Sequence, residues 1–412
     1  QEYSYDISKL RTSTPRLGNY PDQYQDIEFV GLSAGDVLKL HNLRWAGQES
    51  AYKDVTLTAG AETVIEAEDF NRSAVDGLAH QSKQIDYPEI TKYTNPTGDR
   101  FPVYAWGSVD YRGGFGIENG VDMGLMELKR QYQELADCGF TCTQGTAWPA
   151  IDEAALFPGG TAGNGSVNVD LFEGLDLWMI VKAGMDNNPE LAAKYKNAPR
   201  LAGYFIFDEP HFRHFPDMRK KLLSIKQYDD EHMFYGNLLN ISTPMAAIGA
   251  TSYENYVQEF VRQVGTGTVS FDYYPVRQND DTGEIFLKPD YFKNLEVVSK
   301  MAKYYNQPFW SFGHSVASNC GTPGESYPTP TEDHLRVQVF MSLAYGAQGI
   351  QYFTYKCPTP YDGYVYYDAP IDLENKKTPV WYAVQAVNKD IHAMTEVFLG
   401  AKLVHVGYTH AT

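Results

Sequence analysis

Three things are scarce in this sequence. Only four of its 412 residues are cysteine, Cys138, Cys142, Cys320 and Cys357. That is too few for a disulfide framework, and the spacing lacks the paired CxxC of a zinc site, so neither a metal nor another cofactor is expected. Cys138 and Cys142 sit in an apolar stretch and read as buried thiols, whereas Cys320 and Cys357 lie in Gly/Pro-rich loops and could pair if those loops meet. Positive charge is also short: 34 Lys and Arg face 52 Asp and Glu, a net charge of −18. Phosphate backbones are held by clustered cations that release counterions, so nucleic acid is excluded as a partner. Long apolar runs are missing too. Those present, such as residues 177–181, are strand-sized, against roughly 20 residues for a membrane span.

What the chain has in quantity is aromatic side chains, 31 Tyr, 21 Phe and 6 Trp. A chain so equipped can bury enough apolar surface to offset its ordering entropy. Residues 1–100 read as a β-rich N-terminal region or arm, with short extended segments at 37–40, 55–58 and 63–67 separated by Gly, Asn and Asp. From about residue 101 the rhythm changes to apolar strand-sized runs alternating with amphipathic helical stretches. The runs fall at 101–106, 140–143, 177–181, 201–207, 233–237, 268–271, 309–312 and 349–353. Eight such units predict an α/β fold, a (β/α)8 TIM barrel over residues 101–398, followed by a C-terminal strand segment at 399–412. The rival, an open doubly wound sheet, would want a Gly-rich phosphate turn after its first strand, and residues 113–116 have neither the spacing nor the helix start. The chain opens on Gln1 without Met, which suggests a leader already removed or a trimmed chain.

In a barrel the site is built at the C-terminal ends of the strands. Those positions are Trp106, Gln144, Lys182, Asp208-Glu209-Pro210, Asn237, Asp272-Tyr273-Tyr274-Pro275, His314 and Tyr355. Glu209 follows a nearly unbroken apolar strand, so partial desolvation would raise its carboxyl into the range of a general acid. Asp208, one residue earlier, should point the other way and bind the barrel wall or orient a neighbour. Asp272 follows its strand as Glu209 does, and two carboxylates flanking a bound sugar are the machinery of glycoside hydrolysis. A rim salt bridge for Glu209 and a loop cap for Asp272 are the plainer readings. Aromatic residues at or near the strand ends, Trp106, Trp148, Tyr273, Tyr274 and Tyr355, could stack on sugar rings, while Gln144, Asn237 and His314 meet hydroxyls. Trp310 and Tyr352 lie inside strands and fit core packing better. His314 could equally be structural.

The stretch Gly203-Tyr204-Phe205-Ile206-Phe207-Asp208-Glu209-Pro210 resembles the fourth-strand motif of the large clan of retaining (β/α)8 glycoside hydrolases, in which Asn-Glu-Pro or a variant carries the acid/base Glu. Phe271-Asp272-Tyr273-Tyr274-Pro275 and the run from Leu343 to Tyr355 are similar to stretches of secreted glycosidases from gut Bacteroidetes, distantly like family 42 β-galactosidases. The resemblance spans about residues 101–398. It implies that Glu209 is the acid/base and that the protein is secreted or periplasmic. It also implies a nucleophilic Glu at the end of strand seven, where this chain has Phe309-Trp310-Ser311-Phe312-Gly313-His314. Asp272, a loop residue such as Glu325, or the substrate itself would then supply the missing group, or hydrolysis has been lost. The expectation is a glycoside hydrolase acting on a carbohydrate substrate, with a non-catalytic glycan-binding barrel as the alternative and a lyase or transferase as a third. Oligomeric state is left open.

Overall fold

The computed structural model describes most of the chain from Glu89 onward, with Val37–Arg44, Ala51–Thr58 and Asn71–Arg72 before it. Residues 110–116, 119–120, 147–148, 158–160, 163–166, 169, 183–187, 321–322, 362, 405 and 407–412 lie outside the described set. The chain divides into two units, Gln1–Asp86 and Tyr87–Thr412. In the first, Val37–Arg44 pairs antiparallel with Ala51–Thr58, and Asn71–Arg72 adds a short third strand. The predicted strands at 37–40 and 55–58 are inside this sheet, while 63–67 lies outside the described residues.

The second unit is a closed barrel of eight parallel strands. They are β1 (Val103–Ala105), β2 (Cys142–Gln144), β3 (Trp178–Val181), β4 (Leu201–Asp208), β5 (Met233–Leu238), β6 (Val269–Phe271), β7 (Phe309–His314) and β8 (Gly349–Phe353), with β8 pairing back onto β1. Each predicted apolar run overlaps one strand. The outer helices are α1 (Met123–Asp137), α2 (Pro149–Leu156), α3 (Leu191–Tyr195), α4 (Phe215–Lys226), α5 (Tyr253–Glu259), α6 (Tyr291–Tyr304), α7 (Glu332–Ala344) and α8 (Pro379–Ala393). α2 was not foreseen, because eight residues rich in alanine give little periodicity to read.

Two layers of apolar packing hold the barrel. Inside it, Tyr104, Cys142, Ile180, Ala202, Phe205, Met233, Tyr235 and Trp310 form one buried cluster. Between strands and helices lies the larger core, including Leu128, Tyr204, Phe271, Leu295 and Trp381. Strand closure demands glycine at two points. A Cβ on Gly203 would stand 2.1 Å from the Met233 carbonyl oxygen, and one on Gly349 would stand 2.5 Å from the Trp310 ring. Irregular pairing of β4 on both neighbours breaks the strict alternation of its side chains, so Ala202 and Phe205 both face inward.

Residues 89–100 run with the barrel rather than with the N-terminal region. Thr91 N–H donates to the Gly265 carbonyl at 3.0 Å, and the Trp310 indole N–H donates to the Tyr93 hydroxyl at 3.3 Å. This segment therefore reaches the interior cluster from the end opposite the site. The C-terminal strand expected at 399–412 does not form among the described residues, where 399–404 is irregular. The loops carrying Cys320 and Cys357 do meet around Val316, Tyr366 and Ala369, yet all four cysteines are free thiols.

Candidate active site

The ends of β4, β5 and β6 carry three carboxyl groups around one amide. Asp208 is the last residue of β4, and Glu209 follows with a left-handed φ of 47°, a conformation uncommon outside glycine. Its N–H donates to the Asn237 carbonyl at 2.9 Å, and Asp272 N–H donates to the Leu238 carbonyl at 3.3 Å, which registers the three strand ends side by side. The Asn237 side-chain N–H2 donates to Asp272 Oδ1 at 2.9 Å and to Asp208 Oδ1 at 3.3 Å. Asp208 therefore does not turn away to the barrel wall as alternation predicted. It shares the amide of Asn237 with Asp272.

A chain of buried polar groups sets which way that amide faces. The Tyr235 hydroxyl donates to Gln351 Oε1 at 2.5 Å, and Gln351 Nε2 donates to Ser270 Oγ at 2.8 Å. Ser270 donates in turn to Asn237 Oδ1 at 2.7 Å. With its oxygen engaged by Ser270, Asn237 can present only its N–H2 to the carboxyls. All four residues are buried. Ser270 lies two positions before Asp272 and Gln351 two before Phe353, a same-face spacing that sequence reasoning could have used but did not.

Electrostatics divide the three acids. Asp272 is only 8% exposed, and burial raises its carboxyl well above the ordinary range, with further upward pressure from Glu209 and Asp208. Asn237 opposes this by hydrogen-bonding the charged form, whereas a hydrogen bond with Glu209 raises it further. Asp208 is pushed up to about 6, chiefly by desolvation at the barrel mouth and then by Glu209, with Asn237 and Lys182 pulling the other way. Glu209 and Asp208 are both exposed at the barrel mouth, so the buried acid of the three is Asp272. Clustered carboxyls cannot all ionise together, and their protons belong to the group. Burial and the two neighbouring acids therefore favour the protonated form of Asp272.

Facing this acidic wall is an aromatic one. Trp106 packs against Phe205 at 5.8 Å between ring centres and against Phe312 at 5.9 Å. Tyr274 lies 4.5 Å from the His314 ring, 5.7 Å from Phe353 and 6.3 Å from Phe312. His314 also meets Tyr327 at 4.2 Å, and the Arg277 guanidinium lies 3.6 Å over that Tyr327 ring. Burial, aided by Arg277, lowers His314 to about 3. A ring held neutral across the physiological range cannot ferry protons there, which leaves packing and hydrogen bonding. The Lys182 ammonium stands 4.9 Å over Phe205. Phe205, Phe312, Phe353 and Tyr327 were missed in the sequence reading because an isolated Phe or Tyr carries no site signal of its own.

Two expected substrate residues are sealed elsewhere. Tyr355 is 1% exposed, packs on Phe140 at 5.3 Å and accepts from the Trp381 indole, behind the barrel wall. Tyr273 stacks on Tyr291 at 5.5 Å and donates its hydroxyl to Asp290, also in the outer core. Tyr273 stands between Asp272 and Tyr274 at the site, so one step of parity sends it outward. Trp310 and Tyr352 are core residues, as expected. Gln144 is half-buried at the end of β2, and Trp148 lies outside the described residues. Glu325 pairs with Lys288 at 3.1 Å, so it is engaged away from the cluster. Among the described residues no group of three or more His, Cys, Asp or Glu could hold a metal, and no helix is long and apolar enough to cross a membrane.

No family model matches the chain, and no curated protein does. Among solved structures, the barrel is similar to that of the β-galactosidase from the psychrophilic Marinomonas ef1, at 10% identity over 72% of this chain and 60% of that one, with a TM-score of 0.45. It is also similar to the β-galactosidase of Bacillus circulans sp. alkalophilus, at 12% identity, 74% and 57% coverage and a TM-score of 0.47. A family 39 glycoside hydrolase from the gut symbiont Bacteroides cellulosilyticus WH2 matches at 10% identity, 74% and 66% coverage and a TM-score of 0.44. The chain spans about 60% of the length of the first of these. Likeness at this level is one of barrel to barrel and carries no argument about activity.

Proposed function

We propose that this protein is a glycoside hydrolase that cleaves O-glycosidic bonds of a glycan at the mouth of its barrel. The observation that carries the reading is the Asp208, Glu209 and Asp272 cluster around Asn237, at the same barrel mouth as the partly exposed rings of Trp106, Tyr274 and Phe353. Sugars offer apolar C–H faces to such rings and hydroxyls to groups such as Gln144 and Asp208. Glu209 is the solvent-facing acid and is the group placed to give a proton to the leaving oxygen. Asp272, buried and drawn toward its protonated form, shares the Asn237 amide with Asp208 and is the second carboxyl of the reading. Paired carboxyls of retaining and inverting enzymes stand about 5–5.5 Å or about 6.5–9.5 Å apart to leave room for the reacting centre. The separation of the Glu209 and Asp272 carboxyls decides between these two outcomes. Asp208, ionised above about pH 6, faces the positive charge that develops at the anomeric carbon and can take the proton of the attacking water.

A second reading has one observation in its favour: β7 ends Phe309–His314 without a carboxylate. A barrel that keeps the aromatic wall and binds glycan without cleaving it fits that feature. Screening binding and product release on one panel of polysaccharides separates the two. Affinity with no product at any pH between about 4 and 8 would favour the non-catalytic barrel, and product from the wild type would favour the hydrolase.

A further inference from the structure

We propose that Tyr361 and Tyr364, on the loop after β8, form a distal sugar-stacking subsite for a chain-like neutral oligosaccharide whose other end lies at the carboxyl cluster. The proposal deepens the glycan reading above and rests on it. Both rings are exposed, at 55% and 44%, although large aromatic side chains are ordinarily well covered. They lie 5.7 Å apart, edge to face, and Tyr361 stacks on the buried Tyr366 at 6.0 Å with 24° between planes.

The loop holds these rings in place. Tyr361 and Tyr364 exchange backbone N–H to carbonyl bonds at 3.2 and 2.8 Å across a turn that Gly363 makes with a φ of 82°. Asn319 grips both sides of that turn. Its Oδ1 accepts from Val365 N–H at 2.7 Å, and its Nδ2 donates to the Gly363 carbonyl at 3.1 Å. Fixed rings lose little freedom when a ligand stacks on them, which makes exposure here a binding feature rather than a packing defect.

The rings are also connected to the site. Tyr366 meets Phe353 at 6.2 Å, and Phe353 meets Tyr274 at 5.7 Å in the wall that faces the carboxyls. Ring contacts through the buried Tyr366 therefore tie the exposed loop to the aromatic side chains of the barrel mouth, which fixes the loop rings relative to the reacting groups. Val365 and Tyr367 beside it are also exposed, at 45% each.

Affinity electrophoresis through gels holding galactan, glucomannan, xyloglucan or arabinan tests the proposal on the full chain. At least one polysaccharide should retard the wild type, and the Tyr361→Ala/Tyr364→Ala variant should bind it about tenfold more weakly with an unchanged melting temperature. Tyr361→Phe keeps the ring and should bind like the wild type. Retardation equal in the double variant, or no retardation of the wild type on any gel, overturns the subsite. Concentration-dependent self-association lost in the double variant, without polysaccharide binding, also overturns it by assigning the rings to a protein contact. Product release from the same polysaccharides is read in parallel. Retardation lost in the double variant with no product from the wild type sustains the subsite and removes the hydrolase, and the converse pattern removes only the subsite.

Discussion

At the scale of single residues, the chemistry turns on where each acid keeps its proton. Asp208 titrates at about 6, so the ionised form needed at the anomeric centre should appear as pH rises through that value. Rates of product release should therefore climb between about pH 5 and 7, and in Asp208→Asn this limb should vanish together with most of the rate, which a pH–rate profile reads directly. The sequence marked the positions of Asp208, Glu209 and Asp272, because each ends an apolar strand of a barrel. It did not show their mutual geometry. That depends on the left-handed backbone at Glu209 and on irregular pairing along β4, neither of which leaves a trace in residue types.

At the scale of elements, β5, β6 and β8 cooperate through Tyr235, Asn237, Ser270 and Gln351. Ser270→Ala removes the donor that orients Asn237 and leaves buried partners unsatisfied. It should cost about 1–3 kcal/mol in urea unfolding, with product release reduced well beyond the loss of folded protein. On α2, burial raises the fully buried Asp152 to about 7, while Thr146 N–H and Oγ1 hydrogen-bond its Oδ1 at 2.7 and 2.8 Å and Oδ2 has no hydrogen-bond partner among the described residues. A carboxyl whose folded pKa lies above its unfolded value destabilises the fold once it must ionise. Stability should then fall as pH rises from about 4 to about 7, and Asp152→Asn, which keeps the acceptor, should flatten that slope between urea midpoints at pH 5 and 8. Long amphipathic helices such as α1 and α6 were legible from their spacing. The helical stretch Tyr253–Val264 was legible too, its last turn closing as a π-helix at Phe260–Val264, whereas short α2 was not, since periodicity needs length to declare itself.

At the scale of the whole molecule, barrel closure depends on close approach between neighbouring strands. Gly203→Ala would drive a Cβ into the Met233 carbonyl and should destabilise the barrel by about 1–3 kcal/mol or prevent folding, as a melting curve would show. The barrel was legible because eight apolar runs alternate with helical stretches over a length that suits it. The division of the chain was less so. Residues 89–100 carry no periodic signal, yet their hydrogen bonds to Gly265 and Trp310 tie them to the barrel rather than to the N-terminal sheet. A net charge of −18 argues against phosphate-backbone partners, and three of those acids stand together at the barrel mouth.

The most direct measurement is product release from a polysaccharide panel by the wild type and by Glu209→Gln across pH 4 to 8. The expected result is hydrolysis of at least one polysaccharide, reduced about 10²–10⁴-fold by the substitution while folding and binding persist. Undiminished release by Glu209→Gln would contradict the assignment of Glu209 as the proton-donating acid, and with it the proposed reaction.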